Sequence, residues 1–314
     1  MNINVEYKDK TGNISSRNYY LTLAAFVKHL AIAGQAYAPR PRKILRAVGM
    51  FLYYSSYMRC RAFYDNRFSE PPFAFSDPTE KGHFSTLVGK AIADFLSKRI
   101  DHSLYTVNYE AVMRLNKYKL TGQRPDLVAY SQTSMFAIEA KGRHQNNPGN
   151  MRSHKTQALS GPIKVNYSVA CVSYNLFNRI ACNYHDPPFS DNVPYDNKTL
   201  SALTIKYYSG LLEFLQHELF EYREVWIQGE RFYEIELRYN YFDKYYSNKP
   251  LWLSAWYLEM MKLYRLRLIL PNNIQDYASN GITNGLRPFK YEFGENDDLY
   301  IDNDRVGIHI EGRE

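Results

Sequence analysis

The spacing of apolar residues along the chain changes between the period of a strand and the period of a helix. Ile3, Val5 and Tyr7 alternate with polar residues and predict a strand over 3–7. Apolar residues three and four positions apart predict helices over about 21–32 and about 43–61. The first part of the chain therefore combines a strand with helices.

The middle of the chain has the element order of an α/β core. Asp77 followed by Pro78 is typical of a helix start, and the helix is predicted to continue to about residue 98. Between 76 and 182 the predicted order is helix, three strands, helix and strand, which indicates one compact α/β unit. The elements predicted after residue 98 are strands at about 104–113, 126–130, 135–141 and 165–173, a short helix at 151–159, a loop at 183–198, a helix at 199–221, strands at 223–228 and 231–239, a helix at 251–267 and a strand at 305–310.

Composition and charge narrow the class of protein. A length of 314 residues suggests about two domains, or one domain with large insertions. Aromatic residues make up 16% of the chain, which argues against a disordered protein and for a sizeable core. The net charge of +7 favours a polyanionic partner, most simply nucleic acid, without proving one.

Cysteine usage and hydropathy predict the cellular setting. Cys60, Cys171 and Cys182 are too few for a disulfide scaffold and match no zinc motif, so we expect a reducing compartment. No uncharged apolar run reaches about 18 residues, and the first residues lack the pattern of a signal peptide. The sequence therefore predicts a cytoplasmic protein without a membrane span. No Gly-rich phosphate loop occurs, so we expect no ATPase motor in this sequence.

The candidate chemistry lies in a predicted β-hairpin. Four polar residues, Ser131–Ser134, separate two apolar strands. In a hairpin symmetric about that loop, Asp126 lies opposite Glu139, with Cβ atoms roughly 5 Å apart. Lys141 follows Glu139 by two positions, so its side chain lies on the same face. All three side chains should converge on one side of the sheet.

Two acids that face each other across a hairpin repel, and a divalent cation resolves the conflict. The carboxylates of Asp126 and Glu139, with the backbone carbonyl of Ala140, make a hard oxygen site suited to Mg²⁺ or Mn²⁺. Such a metal activates water and neutralises charge on a phosphate. Lys141 can orient the attacking water or hold a phosphoryl oxygen. These are the parts needed for phosphodiester hydrolysis; the competing interpretation is a solvated hairpin with ordinary surface charges.

At Pro125-Asp126 and Glu139-Ala140-Lys141 the sequence resembles the PD-(D/E)xK nuclease superfamily, also called restriction-endonuclease-like, in residue type, order and spacing. The resemblance covers about 76–182, roughly a third of the chain. It implies an α/β fold with a restriction-endonuclease-like core, in which a mixed central sheet is flanked by helices. On this basis the chain divides into an α+β elaboration at 1–75, the nuclease core at 76–182 and an α+β segment at 183–314.

The resemblance also implies roles for individual residues. Asp126 and Glu139 would bind the metal, and Lys141 would assist hydrolysis. Many relatives carry a further Glu on the helix before the hairpin, near the position where this sequence has Ser85. Glu80 is the nearest candidate, although a capping-box role explains it at least as well. Glu110 is another candidate, and the third ligand stays open.

Positive residues after the hairpin are candidates for contacts with a phosphate backbone. They are Arg143, His144, Arg152, His154 and Lys155, and a plain solvated surface explains them about as well. Gln157 lies where some relatives use a Gln to support the site, against the alternative of an ordinary polar helix position.

The resemblance favours DNA as the substrate and a role in restriction or bacterial antiviral defence. The long flanking segments suggest a sensor or a partner-binding surface, and a helicase or ATPase partner or a homodimer fits a nuclease without a motor. Two alternatives stay open. One is an inactive nuclease-like core that binds nucleic acid or protein, and the other is an RNA nuclease, since no residue here separates RNA from DNA.

Overall fold

The fold is organised around a large and a small β-sheet. The computed structural model describes residues 1–9, 11–36, 46, 49–50, 53–70, 77–186, 197–218, 220–238, 265–281, 286, 289 and 298–311. The large sheet contains, in spatial order among these residues, the strands β2 (Ile14–Tyr20), β1 (Asn2–Lys8), β7 (Ala181–His185), β6 (Tyr167–Tyr174), β5 (Met135–Gly142), β4 (Leu127–Tyr130) and β3 (Tyr105–Asn108).

The large sheet is mixed. Strands β3, β4 and β5 form an antiparallel meander, and β6 lies parallel to β5. Strand β7 is antiparallel to β6 and parallel to β1, and β1 forms a hairpin with β2. The first residues of the chain thus extend the same sheet that contains the hairpin of β4 and β5.

Helices cover the sheet on both faces. Within the described residues they are α1 (Leu23–Ile32), α2 (Cys60–Tyr64), α3 (Pro78–Ile100), α4 (Tyr109–Leu115), α5 (Met151–Ala158), α6 (Asn197–Gln216) and α7 (Ile274–Asn280). Helix α3 begins as the sequence predicts, because the Asp77 side chain accepts a hydrogen bond from Thr79 N and Pro78 is the first helical residue. Its residues Phe84, Val88 and Ile92 are buried with Leu127 and Ile138 in one hydrophobic core.

The small sheet belongs to the C-terminal part of the chain. In the described residues its antiparallel strands are β11 (Leu299–Ile301), β12 (Gly307–Ile310), β10 (Leu266–Pro271), β9 (Glu230–Leu237) and β8 (Phe220–Ile227), in spatial order. A second hydrophobic core joins α6 and β10 to the other face of the large sheet, through residues such as Leu203, Leu270, Tyr105 and Val128.

A buried cluster of charges connects the N-terminal, central and C-terminal parts of the chain. Lys28 of α1 and Lys98 of α3 contact Asp302 and Asp304, which lie between β11 and β12. All four side chains are at most 3% exposed. Segments that the sequence separates as 1–75, 76–182 and 183–314 are therefore held together by ion pairs. The exact limits of these segments stay a prediction.

The structure confirms the predicted α/β class and most of the central elements. The pairs Leu127–Ile138 and Tyr130–Met135 have the register expected for a hairpin symmetric about Ser131–Ser134. The predicted helices at 21–32 and 151–159 correspond to α1 and α5, and the strands at 3–7 and 165–173 correspond to β1 and β6. No helix in the described part of the chain combines the length and the hydropathy needed to cross a bilayer.

The strand predicted at 104–113 is wrong in its second half. Strand β3 ends at Asn108, whose side chain accepts a hydrogen bond from Ala111 N and begins α4. Tyr109, Val112 and Met113 are buried at the spacing of a helix, not of a strand.

Three further predictions need correction or lie outside the described residues. The helix at 43–61 lies partly outside them, and its described second half contains a 3₁₀ turn at Ser55–Tyr57 before the separate helix α2. The loop at 183–198 begins too early, because β7 continues to His185. The helix at 251–267 lies outside the described residues up to 264, and its last two residues belong to β10.

Candidate functional site

Asp126 and Glu139 lie at the open end of the hairpin formed by β4 and β5. The paired register of β4 and β5 ends at Leu127–Ile138. The next hydrogen bond is shifted by one residue, because Asp126 N donates to Ile138 O over 3.1 Å. The Asp126 carboxylate still lies close enough to Glu139 for its charge to raise the pKa of Glu139. Ile138 and Ala140 are buried in the core shared with α3. Glu139 and Lys141 alternate with these residues and therefore lie on the other face of the strand.

The Pro125-Asp126 segment is held from several directions. Asp126 O accepts a hydrogen bond from Tyr109 N over 3.0 Å, and Arg124 O accepts one from Gln157 Nε2 over 3.1 Å. The Arg124 guanidinium is paired with Glu110 of α4. Pro125 fixes its own φ, so the backbone that carries the Asp126 carboxylate has little freedom left.

Glu139 is an acid buried in an unfavourable position. Its side chain is 0% exposed, and neither carboxylate oxygen accepts a hydrogen bond of normal geometry from a described residue. Lys141 Nζ lies 2.6 Å from Oε1, at an angle unsuited to a hydrogen bond. Burial, followed by the negative charge of Asp126, raises the pKa of Glu139 to about 7 in spite of Lys141. Near neutral pH the protonated and the ionised form of the carboxyl group are therefore both populated.

Lys141 links the two acids. Its Nζ atom lies 3.4 Å from Asp126 Oδ2 as well as 2.6 Å from Glu139 Oε1. Burial disfavours the ammonium, but the charges of Asp126 and Glu139 outweigh burial and raise the pKa of Lys141. Ala140 also contacts the site, because its N–H donates to Asp126 Oδ2 over 3.2 Å. The metal contact predicted for the Ala140 carbonyl stays a prediction.

A second lysine completes this site, and the sequence analysis did not identify it. Lys90 Nζ of α3 lies 3.2 Å from Asp126 Oδ1. Helix α3 reaches the hairpin because two glycines pack against each other: a Cβ on Gly89 would lie 2.3 Å from Gly142 N. In the sequence, this close approach is indicated by Gly89, a glycine inside the predicted helix.

The residues present fit a divalent cation, although the full ligand set is not assembled. Two carboxylates close together, with the oxygens of Glu139 ion-paired only with Lys141 among the described residues, are suited to a hard cation. Within the described ranges, no group of three His, Cys, Asp or Glu side chains is arranged so that it could hold a metal ion. Glu80 instead lies near Tyr57, where burial and then the Glu80 charge raise the pKa of Tyr57 to about 12. Glu110, paired with Arg124, supports the backbone before Asp126.

The residues predicted to contact a phosphate backbone lie in different surroundings. Arg143 Nη1 donates to Pro148 O over 3.1 Å, so this side chain orders the loop before α5. Arg152 is exposed in the first turn of α5. Lys155 is half-buried, and its pKa is lowered by burial and by the charge of Lys8 in β1. Gln157 alone among the four contacts the segment that carries Asp126.

His154 differs from the positive residue that the sequence suggested. Burial, then the charges of Arg143 and Lys141, lowers the pKa of His154, so the ring is neutral at pH 7. Its Nε2 atom is buried and has no hydrogen-bond partner among the described residues. His154 therefore adds an imidazole near the lysine of the site instead of a positive charge.

Comparison with other proteins adds no assignment. No protein-family model, curated protein or solved structure matches this chain. The function is therefore inferred from the residues and the geometry described above.

Proposed function

We propose that this protein is a metal-dependent nuclease that hydrolyses phosphodiester bonds, with Asp126 and Glu139 as metal ligands and Lys141 as the catalytic lysine. One observation carries the proposal: Glu139 is fully buried beside Asp126, and apart from the ion pair with Lys141 neither of its oxygens accepts a hydrogen bond of normal geometry from a described residue. A buried acid in that position is costly, and a bound cation removes the cost. The resemblance at Pro125-Asp126 and Glu139-Ala140-Lys141 supports the same chemistry, as does the order of α3, β3, β4, β5, α5 and β6.

Each residue of the site has a separate role in the proposed reaction. Asp126 and Glu139 would hold Mg²⁺ or Mn²⁺, which when bound supplies charge neutralisation and water activation. Lys141 would donate to the attacking water or to a phosphoryl oxygen, because its ammonium is positive and more than a third exposed. In the reaction a water oxygen bonds to phosphorus, the bond to the leaving oxygen breaks, and that oxygen takes a proton.

The substrate and the biological setting rest on the resemblance alone. DNA is the favoured substrate, and restriction or antiviral defence is the favoured role. A helicase or ATPase partner, a sensor partner or a homodimer would supply what a nuclease core without a motor lacks.

The test is plasmid cleavage by the purified protein in Mg²⁺, Mn²⁺ or EDTA, beside Glu139→Ala and Lys141→Ala. We expect metal-dependent nicking or linearisation that falls by about a hundredfold or more in each variant, while both variants keep the wild-type circular dichroism spectrum. Tight metal-independent DNA binding without cleavage would favour the inactive binding module instead. Cleavage of RNA but not DNA under the same conditions would assign the RNA nuclease.

A further inference from the structure

The proposed site contains two lysines, and the proposed chemistry assigns a role to only one of them. Lys141 Nζ lies 3.4 Å from Asp126 Oδ2, whereas Lys90 Nζ lies 3.2 Å from Asp126 Oδ1. Each oxygen of Asp126 thus has an ammonium group of its own. The two ammonium groups match the two carboxylates in number, but Lys90 contacts Asp126 while Lys141 contacts both acids.

The backbone of Lys90 is fixed, but its side chain is not. The neighbouring Gly89 packs so closely on β5 that an added Cβ would lie 2.4 Å from the carbonyl carbon of Lys141. Lys90 is therefore held at the hairpin by the packing of α3. Its side chain is 25% exposed and has a flexible four-carbon stem, so Nζ can move by a few ångströms without moving the helix.

The contact between Lys90 and Asp126 conflicts with the role proposed for Asp126. A carboxylate cannot offer its oxygens to a cation while each oxygen is held by an ammonium group, since like charges repel at that distance. Lys141 has a second acid, Glu139, 2.6 Å away, and keeps a partner if it leaves Asp126. Among the described residues Lys90 has no second acid within ion-pair distance, so the anion that best replaces Asp126 is a substrate phosphate.

We propose that Lys90 is a phosphate-binding residue that exchanges Asp126 for the nucleic-acid backbone when Asp126 ligates the cation. This inference rests on the proposed function, because it requires Asp126 to be a metal ligand. It assigns to Lys90 a contact with substrate, and it predicts that this contact forms only when a divalent cation is present.

The test measures DNA binding in place of activity. Affinity for a short labelled duplex is measured by fluorescence anisotropy over a series of salt concentrations, once in EDTA and once in Ca²⁺, for the wild type and Lys90→Met. In Ca²⁺ we expect the variant to bind about tenfold more weakly and its salt dependence to fall by about 0.9, the contribution of one phosphate contact. In EDTA we expect the two proteins to bind alike.

Two further variants separate charge from folding. Lys90→Arg keeps a cation at the same position and should restore most of the Ca²⁺-dependent salt slope. Lys81→Met removes a lysine from the same helix that is paired with Glu70, outside the site, and should bind as the wild type does in both conditions.

Each outcome decides between the proposals. An unchanged slope in Ca²⁺ overturns the role of Lys90, and so does an equal loss of slope in EDTA and Ca²⁺, which would mark a static surface contact. If the wild type shows the Ca²⁺-dependent slope but cleaves no nucleic acid in Mg²⁺ or Mn²⁺, the hydrolytic function fails while the exchange stands. A wild type that binds no DNA overturns both.

Discussion

Two clusters in this molecule contain the same set of side chains in different surroundings. The candidate site combines Asp126 and Glu139 with Lys90 and Lys141, and the buried cluster combines Asp302 and Asp304 with Lys28 and Lys98. In each, two acids face two ammonium groups. Asp302 Oδ2 resembles the Glu139 oxygens, since it too accepts no hydrogen bond of normal geometry from a described residue. The clusters differ in how much solvent their side chains meet and in the direction in which the pKa of the buried acid is shifted.

In the buried cluster the charges are paired. Asp304 Oδ1 accepts from Lys28 Nζ over 2.7 Å, and Oδ2 accepts from Tyr207 Oη over 2.8 Å. Although burial opposes it, the charges of Lys98 and Lys28 lower the pKa of Asp302. Lys141 is 35% exposed in the candidate site, by contrast, and Glu139 is an acid with a raised pKa. One cluster holds the fold together, whereas in the other burial and the charge of Asp126 disfavour the ionised form of Glu139.

The largest expected effect follows from breaking the buried cluster. Asp304→Asn leaves Lys28 and Lys98 buried with one acid between them, which should lower the free energy of unfolding by about 3–5 kcal/mol. Urea denaturation measures the loss. Asp65→Asn, at an exposed acid paired with Arg67, is the control and should change stability by less than about 0.5 kcal/mol. A loss below about 1 kcal/mol for Asp304→Asn would contradict the structural role of the cluster.

The second prediction concerns the packing that brings Lys90 into the site. In Gly142→Ala the added Cβ would lie 1.8 Å from Ser85 O, so α3 must move away from β5. We expect a loss of about 2–3 kcal/mol in stability and, because Lys90 moves with α3, a loss of the Ca²⁺-dependent DNA binding.

The matched control for this change lies on α3. Gly82 has open space where its Cβ would be, so Gly82→Ala should stabilise the protein by about 0.5–1 kcal/mol and leave DNA binding unchanged. If Gly142→Ala were as stable as Gly82→Ala, the close approach of α3 to the hairpin would be wrong.

The sequence predicts one cluster and not the other for a physical reason. Asp126, Glu139 and Lys141 are close along the chain, and alternation about Ser131–Ser134 is enough to place them together. Lys28 and Asp304 are 276 positions apart, and nothing local indicates that they meet. Lys90 is an intermediate case. Gly89 in the predicted helix indicates that another segment approaches closely, but it does not indicate which segment.

Local competition explains the error in secondary structure within the core. The apolar residues of 104–113 fit a strand as far as Asn108, where a side-chain cap offers the backbone a helix instead. Burial against α6 and β10 then favours α4, since Val112 and Met113 join that core. Tertiary contacts of this kind are not encoded in the spacing of a ten-residue segment.

The third prediction uses the raised pKa of Glu139 in the absence of metal. The pKa of Glu139 is 4.5 in the unfolded chain and about 7 in the folded protein. The ionised carboxylate therefore destabilises the folded state, and this loss grows as pH rises from 4.5 to about 7. In EDTA, Glu139→Gln should therefore be more stable than the wild type by about 1–2 kcal/mol near pH 8, with a smaller gap near pH 5. Urea denaturation at both pH values tests this, and a variant less stable than wild type near pH 8 would show that Glu139 is stabilising.

The smallest effect is expected at a third group of charges, in the small sheet, where Arg223 is 66% exposed. Glu234 accepts from Arg223 Nε over 2.6 Å and lies 2.7 Å from His309 Nδ1. Burial raises the pKa of Glu234, but His309, Arg223 and Arg267 outweigh it and lower the pKa to about 2. Its ionised form therefore stabilises the fold above the unfolded value of 4.5, and this contribution disappears as pH falls towards about 2.

Glu234→Gln removes that pH dependence. The variant should be less stable than the wild type by about 1 kcal/mol near neutral pH, a modest value because Arg223 is largely exposed and solvent screens the pair. The difference should shrink as pH falls below about 4. Its sign is opposite to that of the difference at Glu139, where the Gln variant is the more stable protein. Glu221→Gln, an exposed acid 4.0 Å from Arg238 in the same sheet, controls for the loss of one surface charge. Because the two buried-acid substitutions differ only in what the oxygens contact, opposite pH trends would show that pairing, not burial alone, separates a structural acid from a ligand.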